Sequence, residues 1–130
     1  MGIHDLKGEP IELTTRLQVR DIALILQDIC AEWKTAPEAI QSSSGALAAF
    51  DDRADIEVVI HGKAGFLSPQ FYVVQVYVYD LKDKRSVEIV AMGNSNLSKF
   101  FAGINGAVKM SESIKRRDII AERIMRHSAQ

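Results

Sequence analysis

Hydrophobic and polar positions alternate at the start of the chain and then change period. Ile11, Leu13, Leu17 and Val19 alternate with Glu12, Thr14, Arg16 and Gln18, a period-two signature of a half-buried strand. The pattern predicts a strand over 11–19, with Thr14 and Thr15 adding β-propensity. A helix competes for its second half, because Thr15-Arg16-Leu17-Gln18 has capping-box spacing. Val19, Ile22, Ala23, Leu26, Ile29, Cys30 and Trp33 then recur at helical spacing and predict a helix over 20–33. Asp21 suits the positive end of its dipole, and Pro37 stops it, since a residue before proline is pushed out of helical φ/ψ. Leu24 and Ile25 lie off the stripe, which predicts burial on more than one side.

Residues 34–55 carry no such period. Ser42-Ser43-Ser44-Gly45 marks a break and Gly45 to Phe50 can form a short helical turn. A short helix, a lid and a structureless segment all remain open here. Three runs then predict strands over 56–61, 71–79 and 87–92. Their short connections require antiparallel neighbours, because a parallel pair needs a long crossover. Along the middle run, Tyr72, Val74, Val76 and Val78 share one face, while Phe71, Val73, Gln75, Tyr77 and Tyr79 share the other. A sheet with one face in water shows a polar set on that face. This strand is apolar on both, so both sides are expected to be covered.

Asn94-Ser95-Asn96 supplies N-cap chemistry for a helix over 96–110, striped by Leu97, Phe100, Phe101, Ile104, Ala107 and Val108. A last helix follows over 112–126, with Ile114, Ala121, Ile124 and Met125 inward and Lys115, Arg116 and Arg123 outward. The expected fold is one α+β domain over 1–130, with a loose arm over 1–10. Its order is β-α-β-β-β-α-α, an antiparallel sheet of about four strands packed with three helices.

Composition narrows the function classes. With 16 Lys+Arg against 17 Asp+Glu, the net charge is −1, which gives no global attraction to nucleic acid or anionic membrane. The apolar run Ile22 to Leu26 is far shorter than the roughly 20 residues of a membrane span. The first twenty residues lack the apolar core of a secretory signal. Cys30 is the sole cysteine, so no intrachain disulfide is possible; that suits a reducing cytoplasm. Charge is polarised: residues 1–108 hold 10 basic and 14 acidic side chains, and 109–130 hold 6 and 3.

No catalytic constellation assembles. Gly62-Lys63-Ala64-Gly65 lies between two strands and reads as a hairpin loop, because a phosphate loop needs a longer spacing that leads into a helix. Cys30 and His61 form the minimal thiol–imidazole pair, yet Cys30 sits in an apolar stripe where burial leaves a thiol inert. No two histidines share metal-ligand spacing, so neither metal nor cofactor is expected. Asp51, Asp52, Asp55 and Glu57 read as solvated loop charges, and Lys115-Arg116-Arg117 as a solvated helix face. What remains is aromatic. Phe71, Tyr72, Gln75, Tyr77, Tyr79 and Trp33 are the candidate interface or ligand residues, since aromatics offer apolar area with a polar handle. The sequence therefore reads first as a non-catalytic binding or self-associating module, expected to form a homodimer. The alternative is a carrier or sensor of a small apolar ligand held between sheet and helix.

Overall fold

A computed structural model describes residues 10–35, 38–39, 55–65, 67, 70–92 and 108–128. Their elements are β1 (Ile11–Thr15), α1 (Val19–Glu32), β2 (Glu38–Ala39), β3 (Ile56–Lys63), β4 (Phe71–Asp80), β5 (Arg85–Ala91) and α2 (Met110–Ser128). The strands form one antiparallel sheet in the order β1-β5-β4-β3-β2. It is a four-stranded sheet extended at one edge by the two-residue β2, and the fold is α+β as expected.

The strand predicted over 11–19 ends at Thr15. Thr15 Oγ1 accepts the Leu17 N–H at 3.1 Å and turns the chain. Gln18 then stands at the N-cap of α1, where its N–H donates to Asp21 Oδ2 at 3.1 Å. The helix thus starts later than the competing capping box at Thr15 implied. At the other end, Thr35 N–H donates to Cys30 O and Lys34 N–H to Ala31 O, at 2.9 and 3.2 Å. This pair of bonds is a Schellman motif, which needs a left-handed residue between them. Lys34 occupies that position with φ 57°.

Both helices pack on one face of the sheet. Ile22, Leu26 and Ile29 of α1 and Ile120 and Ile124 of α2 close over Tyr72, Val74, Val76 and Val78 of β4 and Val87 and Ile89 of β5. Ile25 joins this core, but Leu24 is 53% exposed, so α1 is buried along one broad side only. Met125, expected inward, is 58% exposed, and Ser113 and Ile120 fill the buried positions of α2 instead.

Of three expected helices, two are present among the described residues. Positions 96–107 of the other lie outside them. Its predicted last turn is not helical: Val108 forms a parallel bridge with Phe71, and α2 begins at Met110. The reason is an edge that needs closing. β5 stops at Ala91, opposite Val74, and leaves the end of β4 without a strand neighbour on that side. Met92 N–H donates to Val73 O at 2.9 Å, Lys109 N–H to Phe71 O at 2.7 Å, and Val73 N–H to Ser113 Oγ at 3.0 Å. Ser113 is fully buried. Ser113→Ala should therefore strand a buried amide and lower stability by about 1–3 kcal/mol in urea titrations, with faster hydrogen exchange at Val73.

The other face of the sheet is not uniformly apolar. In register across it stand Glu12 of β1, Glu88 of β5, Tyr77 of β4 and Glu57 of β3. Neighbouring strands supply the polar groups that β4 lacks. Val73, Gln75 and Tyr77 on this face are buried within the single chain, as the two-sided pattern required. Glu57, read as a solvated charge, is buried as well; Asp51 and Asp52 of that cluster lie outside the described residues. No helix among the described residues is long and apolar enough to cross a membrane.

Candidate functional site

The six aromatic-centred candidates separate into two groups. Gln75 and Tyr77 are interior on the polar face, with Phe71 and Tyr79 half-buried at the two ends of β4. Trp33 and Tyr72 meet on the helix-covered face, with ring centroids 5.5 Å apart and planes at 84°. This edge-to-face geometry aligns the positive rim of one ring with the negative face of the other. Trp33 is placed by the end of α1 and Tyr72 by β4, so the contact joins helix and sheet.

A third member was hidden in the basic run. The guanidinium of Arg116 lies 4.7 Å from the Trp33 centroid and 4.3 Å from that of Tyr72. Both distances are within cation–π range. Arg116 Nε also donates to Glu112 Oε2 at 2.8 Å, one helical turn earlier. Its side chain is largely buried rather than solvated, which corrects the reading of Lys115-Arg116-Arg117 as one solvated face. Lys115 does face water, while Arg117 is ion-paired with Asp118. Position 116 faces Trp33 because α2 crosses that end of the sheet, and spacing within one helix cannot reveal such a crossing.

Beneath these groups lies Gly62, the register partner of Tyr72. A Cβ at Gly62 would stand 2.8 Å from the Tyr72 hydroxyl and 3.1 Å from Cε2 and Cζ. The absence of a side chain at 62 is what lets the phenol ring lie across β3. Tyr72 is only 1% exposed, and its hydroxyl has no hydrogen-bond partner among the described residues. Burial pushes its pKa up against the opposing pull of the Arg116 charge, so the phenol remains a protonated donor. Tyr72→Phe removes a buried, unmatched hydroxyl and should raise stability by about 1 kcal/mol, read as a higher thermal midpoint.

Around this stack a groove of about 650 Å³ opens, lined by Glu32, Trp33, Lys34, Thr35, Gly62, Lys63, Gly65, Leu67 and Arg116. Thr35 ties one wall to β3 by donating its hydroxyl to the His61 carbonyl. Glu32, the one acid among the described residues of that lining, is held in a two-bond pair by Arg123, with both N···O distances 2.8 Å. The hydrogen bonds from Arg123 keep its carboxyl below the ordinary range. A second concavity, about 540 Å³, lies at the opposite end of β4 and is lined by Glu12, Asp55, Tyr79, Asp80, Leu81, Ser86 and Glu88. Asp55 and Asp80 hold the chain together here. Asp55 accepts the Asp80 N–H at 2.6 Å, and Asp80 accepts from Arg85 at 3.2 Å.

The thiol–imidazole pair does not form. Cys30 is in the helix-side core, whereas His61 projects from the opposite face of β3, so the sheet separates them. Burial raises the Cys30 pKa and keeps the thiol protonated. Among the described residues no group of three or more His, Cys, Asp or Glu is placed to hold a metal ion. Compared with known proteins, the chain matches no family model, no curated protein and no solved structure.

Proposed function

We propose that the protein is a non-catalytic binding module that holds a small ligand with an apolar body in the groove beside Trp33. The Trp33–Tyr72–Arg116 stack is the observation that carries this reading. The groove lies where the end of α1, the end of β3 and α2 meet, and its size is ordinary for a small-molecule site; the helix over 97–108, against which the sequence reading put a ligand, lies outside the described residues but for Val108. Part of its wall is held before any ligand arrives. Arg116 is held by two rings and a carboxylate, so little side-chain entropy is left to lose on binding. A carrier or sensor in the cytoplasm fits these features, with Cys30 buried and inert.

Native mass spectrometry of the protein purified from its own cells tests the proposal. A bound small molecule is expected on the wild-type chain and not on Trp33→Ala. A bare chain mass in both, with Trp33 emission unmoved by added ligands, would overturn it.

Self-association as a homodimer is a second reading, supported by apolar side chains exposed on both helices. Leu24 projects from α1, and Met125 of α2 lies beside Ile11 in a shallow trough. Light scattering at tens of micromolar checks it directly. A dimer that Met125→Lys dissociates supports this reading, and a strict monomer removes it.

A further inference from the structure

We infer that two copies of the chain join β1 to β1 antiparallel about a two-fold axis at Leu13, making one continuous sheet. The inference rests on the self-association reading above and gives it a surface and a register. Among the described residues β1 and β2 are the two edges of the sheet. β2 is only two residues long, and a very short edge strand is itself a guard against pairing. β1 has five residues, and no described residue bonds to its outer side.

The phase of the ladder fixes which groups face outward. Leu81 N–H donates to Lys84 O and Met92 N–H to Val73 O, both at 2.9 Å, and both continue the register of the β4–β5 pair. Ser86, Glu88 and Val90 therefore bond to β4, while Arg85, Val87 and Ile89 bond to β1, since the bonding side alternates along a strand. The register partners of those last three are Thr15, Leu13 and Ile11. That leaves the N–H and C=O of Glu12 and Thr14 pointing outward, with no hydrogen bond among the described residues.

One self-pairing uses both residues. With Leu13 opposite Leu13, Glu12 exchanges both backbone bonds with Thr14 of the second copy, and Thr14 does the same with its Glu12. With the axis at Glu12, like charges would stand opposite each other, and Thr14 would oppose Pro10, which has no N–H to donate. With the axis at Thr14, Glu12 would oppose Arg16, which lies beyond the strand and whose carbonyl already accepts from Arg85 at 3.0 Å. Side chains suit the same register. Ile11 and Leu13 are half-buried against the helix-side core, and residues opposite each other in a non-hydrogen-bonded pair approach most closely, so Leu13 meets Leu13. Met125 lies beside Ile11 in the trough along this edge and carries the apolar strip onto α2. On the other face Glu12 and Thr14 are exposed, and a Thr14 hydroxyl opposite a Glu12 carboxylate is a donor facing an acceptor.

Light scattering and sedimentation of the full chain test the assignment. The wild type is expected to be a dimer at tens of micromolar. Thr14→Pro removes an N–H that no bond within the chain uses, so it should give a folded monomer. Thr14→Glu sets like charges opposite each other at both symmetric positions and should weaken the dimer about three- to tenfold, whereas Thr14→Lys should tighten it by a similar factor; salt should shrink both effects. Adding Glu12→Lys to Thr14→Glu should restore association. Position 14 is exposed, so the charge variants read the contact without disturbing the core. Leu13→Cys, on the axis, should cross-link to its own copy on mild oxidation, because the Cα atoms of such a pair stand about 4.5 Å apart, within disulfide reach. A dimer indifferent to the Thr14 variants overturns the β1 assignment and leaves self-association standing through another face. A wild-type chain that stays monomeric overturns both.

Discussion

Arg85→Met is expected to lower the unfolding free energy by about 3–5 kcal/mol, measured by urea denaturation. Arg85 is a buried cation, 4% exposed, at the start of β5. Its guanidinium donates from Nε to Leu17 O at 2.7 Å, from Nη2 to Arg16 O at 3.0 Å, and from Nη1 to Lys82 O at 3.1 Å. It also pairs with Asp80 Oδ1 at 3.2 Å. One side chain therefore fastens the β1–α1 junction to the turn between β4 and β5. Methionine keeps most of the buried stem yet leaves the three carbonyls without this donor. Lysine in its place keeps the charge but lacks the planar fork, so Arg85→Lys should recover only part of the loss. Asp80 is less critical because it is part-exposed. Its carboxyl is held below the ordinary range first by the Lys82 N–H and then by Arg85. A lowered carboxylate pKa stabilises the fold above the ordinary value, and that contribution fades as the pH falls through the lowered one.

The second large effect is expected at Gly62. Gly62→Val should destabilise the protein by about 2–3 kcal/mol and displace Trp33, seen as a red-shifted emission. The added Cβ would meet the Tyr72 hydroxyl at 2.8 Å. The ring has no room to retreat, because Arg116 and Trp33 occupy its other sides and almost none of it reaches solvent. Removing the hydroxyl should relieve part of the clash. The double variant Gly62→Ala with Tyr72→Phe is therefore expected to be less destabilised than the two single effects predict, with a coupling of about 1 kcal/mol. Additive effects would show that the two residues are not in contact.

How far the sequence carried the fold differs by element. The helix at 20–33 and the three strands from Ile56 to Ala91 were legible, because each has an unbroken hydrophobic period and a short connection to the next. Val108 was misread as helical. Its apolar character fits a helical stripe equally well, and only the open edge of β4 at Phe71 makes it a bridge residue. Glu57 was misread as solvated because it sits beside Asp55 in sequence, whereas the pleat turns it to a covered face. At the candidate site Trp33 and Tyr72 stood out as aromatics. Arg116, Gly62, Lys34 and Lys63 did not, since each reads locally as surface or turn.

The alternation of apolar residues by itself determined the antiparallel core strands, the first helix and the need to cover β4 on both sides. That information is local: a period along the chain specifies which face is buried. Only the tertiary structure decided what meets across elements. It set the end of one helix, the start of a strand and the first turns of another helix around one aromatic–cation stack. Cross-element distances depend on packing angles and on where each strand stops, and no spacing within a single element encodes them.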